Sequence, residues 1–98
     1  MSNPQKIVEE MFDQDAFSQW LGIEIIKVYD GYCKLKMSVR AEMLNGFHIT
    51  HGGISYSLAD TALAFASNTY GKKCISVETS ISHTEFVNEG DILIATTE

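Results

Sequence analysis

The sequence predicts an α+β protein in which an antiparallel sheet wraps around one long central helix. The helix is predicted because residues 52–71 are almost all apolar or small and include a single charged side chain. The sheet is predicted because Asp30-Gly31, a strong two-residue hairpin signal, separates two β-rich runs. Further alternating runs follow the helix. A sheet around the helix is the simplest packing of these pieces.

The length and the net charge of the chain limit the class of protein to which it can belong. With 98 residues, 45% hydrophobic and 20% charged, the chain is expected to be one globular domain over residues 1–98, without a separate cofactor-binding module. The net charge of −6 and the scattered basic residues argue against a nucleic-acid partner. The sequence contains neither an apolar run long enough for a transmembrane helix nor a basic N-terminal segment followed by apolar residues, as in a signal peptide. We therefore expect no membrane association, with a cytoplasmic location as the default.

The first elements predicted are a cover helix and a hairpin. The helix is expected over about residues 3–13, with Ile7 and Met11 on its inner face. After a short aromatic run, the strands of the hairpin are expected at residues 23–29 and 32–39.

The central helix is expected from about residue 53 to residue 70, after a loop over residues 40–50. Gly71 suits the left-handed position that follows a helix end. Apolar residues occur all around this helix and leave no wide polar face. It should therefore be wrapped by protein on most sides.

Two more strands are expected at residues 74–86 and 91–97, with a turn over residues 88–91 between them. The chain ends inside the last strand, so we expect either an edge strand or a sequence that lacks one or more C-terminal strands. Cys33 and Cys74 fit no metal-site spacing and are expected to be reduced core or near-core residues.

A lone carboxylate, Asp60, lies in the middle of the predicted buried helix. An ionised carboxylate is costly to bury without partners, so such a group is usually paired, neutralised or retained for chemistry. Asn45, His48 and His51 precede the helix, and Gly52-Gly53 opens it. Backbone N–H groups at a glycine-opened helix N-terminus are suited to stabilising an oxyanion. These residues together predict an active site.

The spacing resembles a known family. Asn45-Gly46, then His51-Gly52-Gly53, then six residues and Asp60 is similar to the signature of hotdog-fold acyl-CoA thioesterases of the phenylacetate-degradation (PaaI-like) type. The resemblance covers roughly residue 20 to the end of the chain. It includes the segment around Asp60 and also Phe86, Gly90-Asp91 and Leu93. The chain departs from the family at Val87-Asn88, where members often carry an Arg-Pro-like pair, and in lacking about one or two further strands.

The resemblance implies a hotdog fold and hydrolysis of an acyl-CoA thioester to a free acid and coenzyme A, without a metal or an organic cofactor. Asp60 and Gly52 lie ~12 Å apart along the helix axis, from the rise of 1.5 Å per residue. The family places the site at the interface of a homodimer, where Gly52 of one chain faces Asp60 of the other. A tetramer is the expected assembly.

The resemblance also implies a role for each site residue. Asp60 is the nucleophile or the general base, two roles that the sequence leaves open. Asn45 orients the water or the thioester, and His51 fixes the loop or places the substrate. The resemblance assigns Gly53 and Ser76 to substrate binding.

Each of these residues could instead have a purely structural role. Asp60 could be solvated, or bonded to Ser57 or to a backbone amide, and Asn45 could simply form a turn with the following glycine. Gly52-Gly53 could be only a tight turn into a helix. We assign no chemistry to His48 or His83.

Two other functions and a metal site are alternatives to hydrolysis. A hotdog dehydratase acting on acyl thioesters would use a histidine with an acid, as His51 and Asp60 could provide. A non-catalytic acyl-CoA-binding protein would keep the fold without turnover. A metal site at His48, His51 and Asp60 is not expected, because the two histidines lie in a glycine-flanked loop and no cysteine joins them.

Overall fold

A computed structural model describes residues 3–75 and 80–98. Helices, strands and one short 3₁₀ turn follow one another in this part of the chain. In order they are α1 (Pro4–Asp13), α2 (Ala16–Leu21), β1 (Glu24–Tyr29), β2 (Tyr32–Ser38), the 3₁₀ turn (Ala41–Met43), α3 (Gly52–Asn68) and β3 (Ile92–Thr97). The predicted α+β class is confirmed.

The two N-terminal helices begin at capped ends. Asn3 accepts a hydrogen bond from the Lys6 N–H through its side chain (3.2 Å), which starts α1. Asp15 caps α2 in the same way through the Ser18 N–H (3.0 Å). Helix α1 was predicted from the sequence, whereas the residues of α2 were predicted only as a short aromatic run.

The hairpin between β1 and β2 has the predicted two-residue turn. Tyr29 pairs with Tyr32 across it, and Gly31 has a φ of 72°, which favours glycine. The N–H of Gly31 donates to the Thr69 hydroxyl (2.7 Å), just after the end of α3. This bond connects the turn of the hairpin to the C-terminal end of the central helix.

The sheet has the strand order β1-β2-β3, with antiparallel pairing throughout. The middle strand alternates between buried and half-buried residues, so that Cys33, Leu35 and Met37 point into the core. Helix α3 packs on β2 and β3, and its inward residues Leu58 and Phe65 are almost completely buried. The sheet thus covers one side of the helix.

The predicted turn at residues 88–91 joins the end of the loop to β3. Gly90 has a φ of 88°, and its N–H donates to the Val39 carbonyl (2.9 Å). The Val39 N–H donates in turn to the Asp91 carbonyl (2.9 Å). The chain therefore enters β3 in register with β2.

The strand predicted at residues 74–86 is not found at its described residues, 74–75 and 80–86, while residues 76–79 lie outside the described part. A strand needs a neighbouring strand to hydrogen-bond with. In the described chain, β2 already has β1 and β3 on its two sides. The alternating sequence alone cannot supply the missing partner.

Helix α3 is covered on most sides, and Ala59 and Leu63 are exposed on the one face that the described residues leave uncovered. One further expectation needs correction. Cys74 is exposed rather than near the core, since it follows the turn after α3, whereas Cys33 is buried as expected. Both cysteines are free.

Among the described residues, no helix is both long enough and apolar enough to cross a membrane.

Candidate active site

The loop before α3 is shaped by Asn45. Its side-chain oxygen accepts hydrogen bonds from the N–H groups of Phe47 (2.9 Å) and Ile49 (3.4 Å). Its backbone N–H donates to the Ile49 carbonyl (2.8 Å), and His48 takes the left-handed conformation with a φ of 61°. The turn-forming alternative for Asn45 is thus realised. Its amide nitrogen remains as the group that can donate to a ligand.

His51 is the N-cap of α3. Its Nδ1 accepts a hydrogen bond from the Gly53 N–H (3.1 Å), and its own N–H donates to the Met43 carbonyl (2.8 Å). These two bonds connect His51 to the start of α3 and to the 3₁₀ turn. They also show that the Gly53 N–H, one of the two amides expected to bind an oxyanion, is already engaged.

Gly52 is the first residue of α3, and His51 does not engage its N–H as it engages that of Gly53. The described residues include no acceptor for its N–H. Gly52 lines a cleft of about 250 Å³ together with Asn45 and Thr50. The N-terminus of a helix attracts negative charge, so this cleft suits a carbonyl oxygen that becomes an oxyanion.

Thr50 also lines this cleft. The residue is buried, and its buried Oγ1 has no hydrogen-bond partner among the described residues. Its N–H donates to the Val87 carbonyl (2.7 Å), which holds the segment before β3 against the loop. An unsatisfied buried hydroxyl costs about 1–3 kcal/mol.

Asp60 lies further along α3, in a different cavity. The residue is half-buried rather than buried, and its cavity of about 120 Å³ is also lined by Tyr56, Leu63 and Ser80. No described residue forms a hydrogen bond or ion pair with its carboxylate. The Ser57 hydroxyl donates to the Gly53 carbonyl (2.7 Å), so the expected alternative of a Ser57–Asp60 bond is wrong.

The structure brings some predicted site residues together and separates others. Asn45 and Gly52 share one cleft, with His51 capping the helix beside them, whereas Asp60 lines another cavity about two helical turns away. Ser76 lies outside the described residues. In residues 3–75 and 80–98, no three His, Cys, Asp or Glu side chains are grouped to hold a metal ion.

Three residues at these cavities were missed by the sequence reasoning. Thr50 and His83 line the Gly52 cleft, and Tyr56 lines the Asp60 cavity. Tyr56 was assigned to the core or an interface, and His83 was given no role. Only Tyr56 carried a usable signal, because it lies four residues before Asp60 and hence on the same helix face.

A protein-family profile matches just over half of the chain. The profile of the thioesterase superfamily matches residues 47–98, which include α3, β3 and the lining residues of both cavities except Asn45. The chain belongs to the thioesterase superfamily. The predicted resemblance to PaaI-like hotdog proteins is confirmed by individual relatives.

The acyl-coenzyme A thioesterase PaaI of Escherichia coli is 40% identical over 88 residues, which are 90% of this chain and 63% of that protein. The structure of E. coli PaaI superposes with a TM-score of 0.92, at 38% identity, over 95% of this chain and 67% of that one. The hotdog fold predicted from the sequence is therefore confirmed.

Two other relatives extend the comparison. A protein of Archaeoglobus fulgidus, named as a candidate esterase, is 37% identical over an alignment that covers 93% of this chain and 59% of the length of that protein. A hypothetical thioesterase of Streptococcus pneumoniae, solved with coenzyme A, has a TM-score of 0.78 and 26% identity over 87% of this chain and 66% of its own. The chain spans about three fifths of the length of the first two curated relatives.

Proposed function

We propose that this chain is an acyl-CoA thioesterase, which hydrolyses an acyl-CoA thioester to a free acid and coenzyme A. The observation that carries the proposal is the Gly52 N–H, which opens α3 inside a cleft and has no acceptor among the described residues. An amide in that position is suited to the oxyanion of a tetrahedral intermediate. The names of the E. coli and S. pneumoniae relatives support acyl-CoA as the substrate class.

The proposed site is shared between two copies of the chain. Gly52 and Asp60 line different cavities and are separated by ~12 Å along α3, too far for both to act on one carbonyl carbon. Leu63, 39% exposed beside Asp60, lies on the uncovered face of the helix, where a second copy would pack. We therefore propose a homodimer as the active unit and a tetramer as its assembly.

In the proposed reaction the carboxylate of Asp60 acts in one of two ways. As a base it takes a proton from water, whose oxygen bonds to the carbonyl carbon while the carbonyl π electrons move to the oxygen. As a nucleophile it bonds to that carbon itself, and water later cleaves the anhydride. In both cases the C–S bond breaks as the oxyanion collapses, and the thiolate of coenzyme A leaves and is protonated.

The remaining site residues have supporting roles in this proposal. The amide nitrogen of Asn45 donates to the water or the thioester, and Gly53 and Ser76 contact the substrate. His51 holds the end of α3 in place. No metal or organic cofactor takes part, and the protein acts in the cytoplasm without a nucleic-acid or membrane partner.

The test is a thiol-release assay with a panel of acyl-CoAs, run beside a binding measurement on the same panel. We expect release of coenzyme A with at least one member. Binding without release would contradict hydrolysis and support an acyl-CoA-binding protein. Dehydration of a 3-hydroxyacyl-CoA without thiol release would instead support the dehydratase. Single-turnover hydrolysis in ¹⁸O-water separates the two roles of Asp60, because only a nucleophilic carboxylate leaves ¹⁶O from the protein in the first product.

A further inference from the structure

We propose that His83 is a further catalytic residue, whose imidazole N–H donates to the substrate carbonyl oxygen beside the Gly52 N–H. This inference rests on the proposed thioester hydrolysis. It names a residue to which neither the sequence reasoning nor the resemblance assigned a role.

The first support is the contact between His83 and Gly52. A Cβ atom placed on Gly52 would lie 3.1 Å from Nε2 and 3.2 Å from Cε1 of the His83 ring. The imidazole edge that carries Nε2 therefore lies against the first residue of α3. Gly52 leaves just enough room for this edge because it has no side chain.

The second support is the shortage of donors at the helix end. An oxyanion is best stabilised by more than one aimed donor. Of the two glycine amides, the Gly53 N–H is bonded to His51 Nδ1 (3.1 Å), so Gly52 contributes one donor alone. The Nε2 atom of His83, which donates when it carries the ring proton, lies beside Gly52.

The third support is that His83 and Gly52 line one cleft. Thr50, about nine-tenths buried, also lines it, and its buried Oγ1 lacks a partner among the described residues. Its N–H bonds to the Val87 carbonyl (2.7 Å), so the segment that carries His83 is anchored beside it. The side chain of His83 is exposed in the same cleft and can reach a ligand there.

The test compares two substitutions at position 83. His83→Gln keeps an N–H donor at a similar distance from the backbone, whereas His83→Phe keeps the ring but removes the donor. For His83→Phe we expect kcat to fall about 10- to 100-fold with KM changed less than about 3-fold, as for loss of a transition-state donor. His83→Gln should retain kcat within about 5-fold. Thr84→Val, at the next exposed residue, is the matched control and should match the wild type.

A double-mutant cycle examines the same contact. Gly52→Ala should push the ring by a few tenths of an ångström, because its methyl group would lie 3.1 Å from Nε2. If that displacement lowers kcat, the loss caused by Gly52→Ala should be much smaller in a His83→Ala background. Equal losses in both backgrounds would contradict the inference.

The outcomes separate this inference from the proposed function. An active wild type with an equally active His83→Phe variant would overturn the role of His83 and leave hydrolysis intact. Parallel loss of kcat and melting temperature in both the Gln and the Phe variant would show a structural role and overturn it as well. A wild type that releases no thiol from any acyl-CoA would overturn the hydrolysis, and the role of His83 would fall with it.

Discussion

The Nδ1 atom of His51 accepts a hydrogen bond from the N–H of Gly53 at 3.1 Å. Nδ1 must therefore be unprotonated, which places the ring proton of the neutral imidazole on Nε2. The bond satisfies one of the N–H groups that every helix leaves open at its start. His51 thus performs the task usually carried out by Ser, Asn or Asp at a helix N-cap.

The cap predicts how His51 variants behave. His51→Ala should lower the free energy of unfolding by about 1 kcal/mol, because the Gly53 N–H loses its acceptor. His51→Asn should restore most of that stability, since asparagine is a strong N-cap. Urea unfolding of the three proteins measures the difference. A loss of activity that persists in His51→Asn would show that the imidazole contacts the substrate as well, whereas full recovery would limit its role to the cap.

Asp60 should be required for turnover and dispensable for folding. Its carboxylate is half-buried and has no partner among the described residues, so Asp60→Asn should change the free energy of unfolding by less than about 0.5 kcal/mol. The amide cannot act as base or nucleophile, and kcat should fall about 10²-fold or more. Steady-state thiol release measures this, with the exposed Asp13→Asn as control. Near-wild-type turnover would mean that the carboxylate has no part in the chemistry.

The uncovered face of α3 should form the proposed dimer contact. Leu63→Glu places a charge beside Asp60 on this face and should convert the dimer to an inactive monomer, because the two halves of the site come apart. Sedimentation velocity with parallel assays is the measurement. Ile26→Glu, at an exposed apolar position on β1, is the matched control and should remain assembled. An active monomer of Leu63→Glu would rule out the shared site.

The two thiols should differ in reactivity. Burial raises the pKa of Cys33 from 9.0 to about 11, so at pH 8 this thiol stays protonated and unreactive, whereas Cys74 is exposed. A thiol reagent should label one cysteine in the native protein and two in denaturant. The resulting Cys74 signal must be subtracted from any thiol-release assay. Cys74→Ser should leave no fast-reacting thiol.

The same shift affects stability at alkaline pH. Between about pH 9 and pH 11 the unfolded thiol of Cys33 loses its proton while the folded one keeps it, so the unfolded state binds fewer protons. Stability should therefore fall across this range. A Cys33→Ala variant should show a shallower decline in chemical denaturation. An identical decline would assign the pH dependence to other groups.

Local signals in the sequence were sufficient for several elements. Asp30-Gly31 produced the hairpin and Gly90 the turn into β3, because both turns need a positive φ that glycine adopts without strain. The apolar run from residue 52 produced α3. The candidate residues Asn45, Gly52 and Asp60 were found through their spacing. The placement of Gly52 and Asp60 in separate cavities also agrees with the estimate from helical rise.

The local sequence of residues 74–86 could not show whether this segment forms a strand, because a strand exists only where another strand pairs with it. Long-range packing also decided the exposure of Cys74.

The sequence by itself determined the candidate site residues at the start and middle of α3, since their types and spacing are properties of a single segment. Only the tertiary structure decided which of their atoms are available. The approach of His83 to Gly52 and the bond from the Thr50 N–H to the Val87 carbonyl both depend on contacts with the segment just before β3. Contacts between segments some thirty residues apart leave no periodic or compositional trace in either one, because neither segment needs a special residue pattern to meet the other.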